Sequence, residues 1–284
     1  MNDPIAADLQ RVLPGLIAAP DFPYEVTAVD VVGRPPYNPP EQVQRKFVGA
    51  SYQAAYEEAA RFVTRADLWS RTHGRGEPGP VIDFGSGWGR ISRLLLAGMR
   101  SKDLYCLDVD QAMTATVNVS LPGVNALTVD PYPPTVLGDR SISRVLAFSV
   151  FSHLAEPAAA QWAQEFGRLL VPGGLAHITV LDHVFLDQVA GCQEAVRAGT
   201  ADSFATSLAQ MFGDPQALRQ AYQAGELVYG DAGDDGARQG DFYGWAAAPR
   251  AWIERVWGDA GFDLLEWVPS GELFSQAMVC LRRR

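Results

Sequence analysis

From Val81 onward the chain alternates short β-rich runs with helix-like stretches, and this alternation constrains the fold more than any other feature of its 284 residues. Val81 to Phe84 gives way to a glycine turn and a helix-like Ile91 to Met99. Leu104 to Leu107 is followed by a helix from Asp110 to about Val119; Val124 to Val129 and Val145 to Phe148 are two further strand-like runs, and Leu175 to Leu181 is a fifth. Pro157 suits the first position of a helix, and the Trp162, Phe166, Leu169 and Leu170 stripe behind it runs until Pro172-Gly173-Gly174, where it is expected to stop. Strands alternating with helices need crossover connections and a parallel sheet covered on both faces, so the expected class is α/β and doubly wound. After a helix from Ala251 to Ala260, the strands Phe262 to Val268 and Gln276 to Leu281 are joined by too short a link for a crossover. That last pair is expected to be an antiparallel hairpin.

The flanking segments read differently. Residues 1 to 40 are rich in proline and are expected to form an extended arm, because proline fixes φ and removes a backbone donor. Between Glu41 and His73 the apolar positions recur at three- and four-residue steps, which predicts one or two amphipathic helices. A glycine-rich break at 74–79 closes this part. From 183 to 245 polar helical stretches separated by glycine carry nine acidic against three basic residues, and an insertion of this length reads as a helical lid. The expected division is an N-terminal arm and helices (1–76), a ligand-binding core (77–182), the lid insertion (183–245), and a C-terminal helix and hairpin (246–284) that complete the sheet.

Charge and cysteine usage exclude several classes. With 33 acidic and 23 basic residues the net charge is −10, which disfavours a nucleic-acid binder needing a cationic face. No apolar run is long enough for a membrane span, and Met1-Asn2-Asp3-Pro4 has no positively charged stretch ahead of an apolar one, so a cytoplasmic protein is expected. Cys106, Cys192 and Cys280 have neither disulfide-framework nor zinc-site spacing and are expected to be buried small hydrophobes, with no metal.

The chemistry concentrates at Val81-Ile82-Asp83-Phe84-Gly85-Ser86-Gly87-Trp88-Gly89-Arg90. Alternate glycines there permit a tight turn and close backbone approach to a ligand at a helix N-terminus, although the same residues could form a turn and nothing more. A dinucleotide fingerprint would need glycine where Arg90 stands, which weakens a nicotinamide reading. An acid two residues before G-x-G-x-G instead resembles the first motif of class I S-adenosylmethionine-dependent methyltransferases. Phe148-Ser149-Val150-Phe151-Ser152-His153-Leu154 and Arg168-Leu169-Leu170-Val171-Pro172-Gly173-Gly174 are similar to further strings of that family, while Arg140-Ser141-Ile142-Ser143 departs from its usual pattern.

The resemblance implies a Rossmann-like seven-stranded, mostly parallel sheet with an antiparallel last strand, and S-adenosyl-L-methionine as cofactor. It implies that Asp83, Gly85, Ser86, Gly87, Gly89, Arg90, Val109 and Ser149 lie at the cofactor. Asp108, nineteen residues after Gly89, stands where an acid accepts from both ribose hydroxyls of a nucleoside. Asp130 matches the place of an acid for the adenine amino group, or else starts the proline turn behind it. Asp110 is expected to cap its helix.

A histidine near the methyl could take a proton from a hydroxyl or amine acceptor. His153 and His183 both follow strands at their carboxyl ends and are the catalytic candidates; packing beside the cofactor and starting a helix are their alternatives. His177 reads as a core residue and His73 as a surface one. Tyr243, Trp245, Tyr52 and Tyr56 are candidate acceptor contacts, with Phe242 beside them. The acidic lid predicts a neutral or cationic acceptor by like-charge repulsion. The expected function is O- or N-methylation of a small molecule such as a sugar or natural-product intermediate. A non-catalytic binding protein, a protein methyltransferase, and other chemistry on the same fold are the alternatives.

Overall fold

The computed structural model describes residue 14 and residues 38–76, 78–232 and 237–284. Nearly all of the expected proline-rich arm lies outside these residues.

Two helices lead in, α1 (Glu41–Val48), closed by Gly49 at φ 70°, and α2 (Tyr52–His73). There follow β1 (Val81–Phe84), α3 (Arg90–Leu95), β2 (Leu104–Asp108), α4 (Gln111–Ser120), β3 (Asn125–Thr128), β4 (Ile142–Ala147), α5 (Glu156–Leu169) and β5 (Leu170–Val180). Then come α6 (His183–Ala198), α7 (Ser203–Met211), α8 (Pro215–Gln223), β6 (Val228–Asp231), β7 (Gly244–Ala247), α9 (Arg250–Asp259), β8 (Phe262–Val268) and β9 (Ala277–Arg283). Short-range chemistry explains many boundaries. Asp110, Asp182, Asp202 and Asp214 each accept a backbone N–H at the start of α4, α6, α7 and α8, and a proline opens α5.

The main sheet has seven strands in the order β3-β2-β1-β4-β5-β9-β8. All pairs from β3 to β5 are parallel, and β9 runs antiparallel between β5 and β8, as the short link before it required. Because β1 is buried on both faces, alternate side chains feed separate cores: Ile82 and Phe84 pack on one side, Val81 on the other. Phe84 sits 4.4 Å from Trp162 and 5.1 Å from Phe166 of α5, and Trp257 of α9 closes on Phe151 at 5.2 Å. Such offset and edge contacts fix ring positions, so the end of β1 is anchored where the glycine turn begins.

Several expectations need correction. The helix after the glycine turn ends at Leu95, well short of Met99. Pro172-Gly173-Gly174 does not stop α5. The helix ends at Leu169, Leu170 is already extended at φ −75° and ψ 138°, and the Pro-Gly-Gly lies within β5, where the pairing to β4 jumps from Ile142↔Leu170 to Arg144↔Leu175. The 183–245 segment holds, besides helices, a strand β6 that pairs antiparallel with β7 and was not foreseen. Four residues without a strict alternation give too little pattern to reveal it. Cys106 and Cys280 are buried, but Cys192 is only half-buried on α6. His177 is buried as expected, its ring stacked on Trp69 at 6.1 Å, whereas His73 is half-buried and bonded to Glu266 at 2.8 Å.

Candidate active site

A cavity of about 730 Å³ opens at the carboxyl ends of β1, β2 and β4, where open α/β sheets bind ligands. Its floor is the glycine turn. Gly85, Gly87 and Gly89 all have positive φ, and the Gly85 and Ser86 amides both donate to the Leu107 carbonyl at 2.8 and 3.0 Å, which fastens the turn to the end of β2. Asp108 completes the fastening: its Oδ2 accepts from the Gly87 amide at 2.7 Å and its Oδ1 from the Asp110 amide at 2.9 Å. Burial nevertheless raises the Asp108 pKa, since these amides only partly replace water.

Asp83 is buried beneath the turn and accepts from Ser92 Oγ at 2.5 Å. Desolvation pushes its carboxyl up to about 6. Ser86 Oγ is buried and has no hydrogen-bond partner among the described residues, and Ser86 lines the cavity. A buried hydroxyl left in this way is a polar group suited to a bound ligand. Arg90 is held by the Ala55 carbonyl and Glu58, both at 3.0 Å, and lies 4.8 Å over Phe148.

Ser149, at φ 58°, donates its amide to Thr179 Oγ1 at 2.7 Å. Thr179 donates to Gln276 Oε1 at 2.7 Å, and Gln276 Nε2 donates to Ser149 Oγ at 2.8 Å. This ring of bonds ties the β4 loop to the segment before β9. Gln276 lines the cavity, and nothing near it in sequence signals that role.

The other end of the cavity is aromatic. His153 stacks on Tyr243 at 4.9 Å and meets Trp245 at 4.8 Å, while Trp245 stacks on Phe185 at 5.6 Å. Phe204 and Phe242 complete this wall. The His153 Nδ1 lies 2.7 Å from the Gly244 carbonyl, and desolvation takes the imidazole down to about 4. Arg238, another residue the sequence did not single out, lies 4.5 Å over Phe47 of α1 and 5.7 Å over Tyr243, so it spans the mouth from the insertion to the N-terminal helices.

The structure thus brings Asp83, Gly85, Ser86, Gly87, Arg90, Asp108, Val109, Ser149, His153, Tyr243 and Trp245 to one cavity. Gly89 stands behind the lining, its Cβ position 3.0 Å from Leu121, and serves the turn. Four candidates fall elsewhere. His183 is exposed at the start of α6 and Asp130 is exposed beside the cavity, which its neighbours Val129 and Pro131 line instead. Tyr56 is wholly buried, bonded to Asn38 at 2.6 Å and packed on Trp88, so it is core, and Tyr52 does not reach the lining. The acidic residues described between 183 and 245 are exposed and absent from the lining, which Arg238 of the same segment joins. Among the described residues no group of three His, Cys, Asp or Glu is placed to hold a metal, and no helix is long and apolar enough to cross a membrane.

Residues 81–174 match the family model described as a methyltransferase domain. Among curated proteins no sequence matches. The fold is similar to an S-adenosylmethionine-dependent methyltransferase from Clostridium acetobutylicum (TM-score 0.52, 11% identity, covering 80% of this chain and 92% of that one). It is also similar to the magnesium protoporphyrin IX methyltransferase of Synechocystis with bound S-adenosylhomocysteine (0.51, 15%, covering 86% and 94%). The CcbJ methyltransferase of Streptomyces caelestis is a third (0.50, 15%, covering 82% and 96%). At these identities the likeness is one of fold.

Proposed function

We propose that this chain is a methyltransferase of the class I S-adenosylmethionine-dependent family and that it methylates a small-molecule acceptor. The observation that carries the reading is the continuity of one cavity, from the glycine turn and Asp108 at one end to the aromatic wall at the other. Its size lies within the range of small-molecule sites.

The orphaned Ser86 hydroxyl and the open glycine turn fit the cofactor. Asp108 would hold the ribose hydroxyls, the turn around Ser86 and Gly87 and the Ser149 loop would receive the methionine part, and Val109 would flank the base. When bound, S-adenosylmethionine would supply an electrophilic methyl on a sulfonium for an acceptor's lone pair. The chain's contribution is then to orient the acceptor against that methyl and to keep water out. Phe185, Phe204, Tyr243 and Trp245 do the second part.

Calorimetric titration with S-adenosylmethionine, S-adenosylhomocysteine and NAD tests this reading. Micromolar binding of the first two and none of the third supports it; no binding of either overturns it.

Asp83 adds a pH signature. Its folded pKa of about 6 lies above the ordinary value, so its ionisation costs the free fold stability as pH rises through about 6. A cationic ligand favours the ionised carboxylate, and Asp108, also raised by burial, acts in the same sense. Affinity for S-adenosylmethionine is therefore expected to strengthen between pH 5 and 7 and to level off above. Titrations across that range should show the slope, and Asp83→Asn should reduce it to the part that Asp108 contributes.

A further inference from the structure

We propose that His153 is a specificity-determining residue that reads a hydroxyl proton on an uncharged ring compound, through the lone pair of its Nε2. The proposal rests on the methyltransferase reading for the reaction that follows recognition, but the recognising group belongs to the free protein.

The tautomer follows from geometry. A carbonyl oxygen only accepts, so the 2.7 Å contact to Gly244 places a hydrogen on Nδ1, and the neutral ring carries its lone pair on Nε2. Nε2 has no hydrogen-bond partner among the described residues, and the ring lines the cavity. The orientation is held from both sides. The Gly244 amide donates back to the His153 carbonyl at 2.8 Å, Leu154 bridges to Tyr243, and Tyr243 and Trp245 pack on the ring. The ring therefore presents a fixed acceptor among the aromatic side chains of this wall.

Charge narrows the ligand. The charged group facing His153 is Arg238, from the segment before β7, and with desolvation it keeps the imidazole neutral well below pH 7. The same guanidinium, set over Tyr243 and 3.9 Å from the Asp110 carboxylate, is the cation nearest this wall and disfavours a second cation, an ammonium acceptor, beside it. A carboxylate offers no proton and would meet the Nε2 lone pair with its own. What remains is an uncharged proton donor on an apolar, cyclic body that the aromatic side chains can cover.

The chemistry balances with a weak base. Once the hydroxyl oxygen has gained the methyl it carries a positive charge; its O–H bond then breaks, the electron pair stays on oxygen, and a new N–H bond forms at Nε2. The imidazolium releases that proton to water. A pKa of about 4 suffices, because a protonated ether is a far stronger acid.

The test uses the full chain labelled with 15N-histidine, observed by long-range proton–nitrogen NMR, with phenol and anisole as probes. The two share a ring, and only phenol has a hydroxyl. His153 is expected to show the Nδ1–H neutral form from pH 5 to 8. Millimolar phenol is expected to move its Nε2 resonance and to bind several-fold more tightly than anisole. His153→Phe should bind the two equally, and His153→Gln, whose carbonyl accepts, should keep part of the preference. An Nε2–H form, titration near pH 6.5, equal binding of the probes to the unaltered protein, or no binding of either overturns the proposal. Adding S-adenosylhomocysteine separates the two readings: if it does not bind, the methyltransferase reading fails while the probe result for His153 stands.

Discussion

Asp108→Ala is expected to weaken S-adenosylhomocysteine binding about a hundredfold, or about 2.7 kcal/mol by calorimetry. Two losses contribute. A carboxylate that accepts two hydroxyl protons makes charge-assisted bonds worth about 1.5 kcal/mol or more each, of which water restores a part. The second loss is visible only in the fold: the Gly87 and Asp110 amides lose the oxygens that hold the turn in place. Asp108→Asn should recover little, because each carboxylate oxygen already accepts one backbone N–H and the amide nitrogen of asparagine would face one of those donors. Thermal unfolding of both variants checks that the fold persists. An unchanged dissociation constant would leave Asp108 as a fastener of the turn and remove it from the ligand.

Gly85→Ala is expected to cost about 3 kcal/mol of stability and to abolish measurable cofactor binding. A Cβ at Gly85 would lie 2.4 Å from Val150 Cγ2, and φ at this position is +67°, so steric overlap adds to backbone strain. Val150 belongs to the loop that carries Ser149, so relief of the overlap would push apart the two loops that line this end of the cavity. Gly87→Ala makes the comparison. Its φ is +51°, but a Cβ there meets only Phe47, at 4.0 Å, so the expected cost is the strain alone, about 1 to 2 kcal/mol. The double variant Gly85→Ala, Val150→Ala should recover the part due to overlap. Urea unfolding separates these cases; equal losses for the two glycine variants would sink the overlap argument.

The pattern of the core was legible because its rules are local. Alternating strand and helix signals placed β1 to β5 and the closing hairpin, and Asp110 could be assigned to its cap from its position alone. The glycine-turn end of the cavity was legible for the same reason: Asp83, the glycines and Asp108 lie at the ends of adjacent strands, and a parallel sheet brings successive strand ends together. The acceptor end was not. The His153 contact to Gly244 spans 91 residues and the Ser149 contact to Gln276 spans 127, and no local pattern encodes either. Tyr56 and Trp245 are equally aromatic in the sequence, yet one packs under Trp88 and the other faces the cavity.

Hydrophobic periodicity, turn glycines and caps act over a few residues, so the doubly wound sheet and its glycine turn follow from the order of residues. Which nitrogen of His153 faces the cavity, where the insertion's acidic groups point and how Arg238 reaches Phe47 depend on packing between segments far apart in the chain. Those contacts are settled only when the insertion folds back against the β4 loop and α1, because burial and orientation belong to the assembled surfaces and not to either segment alone.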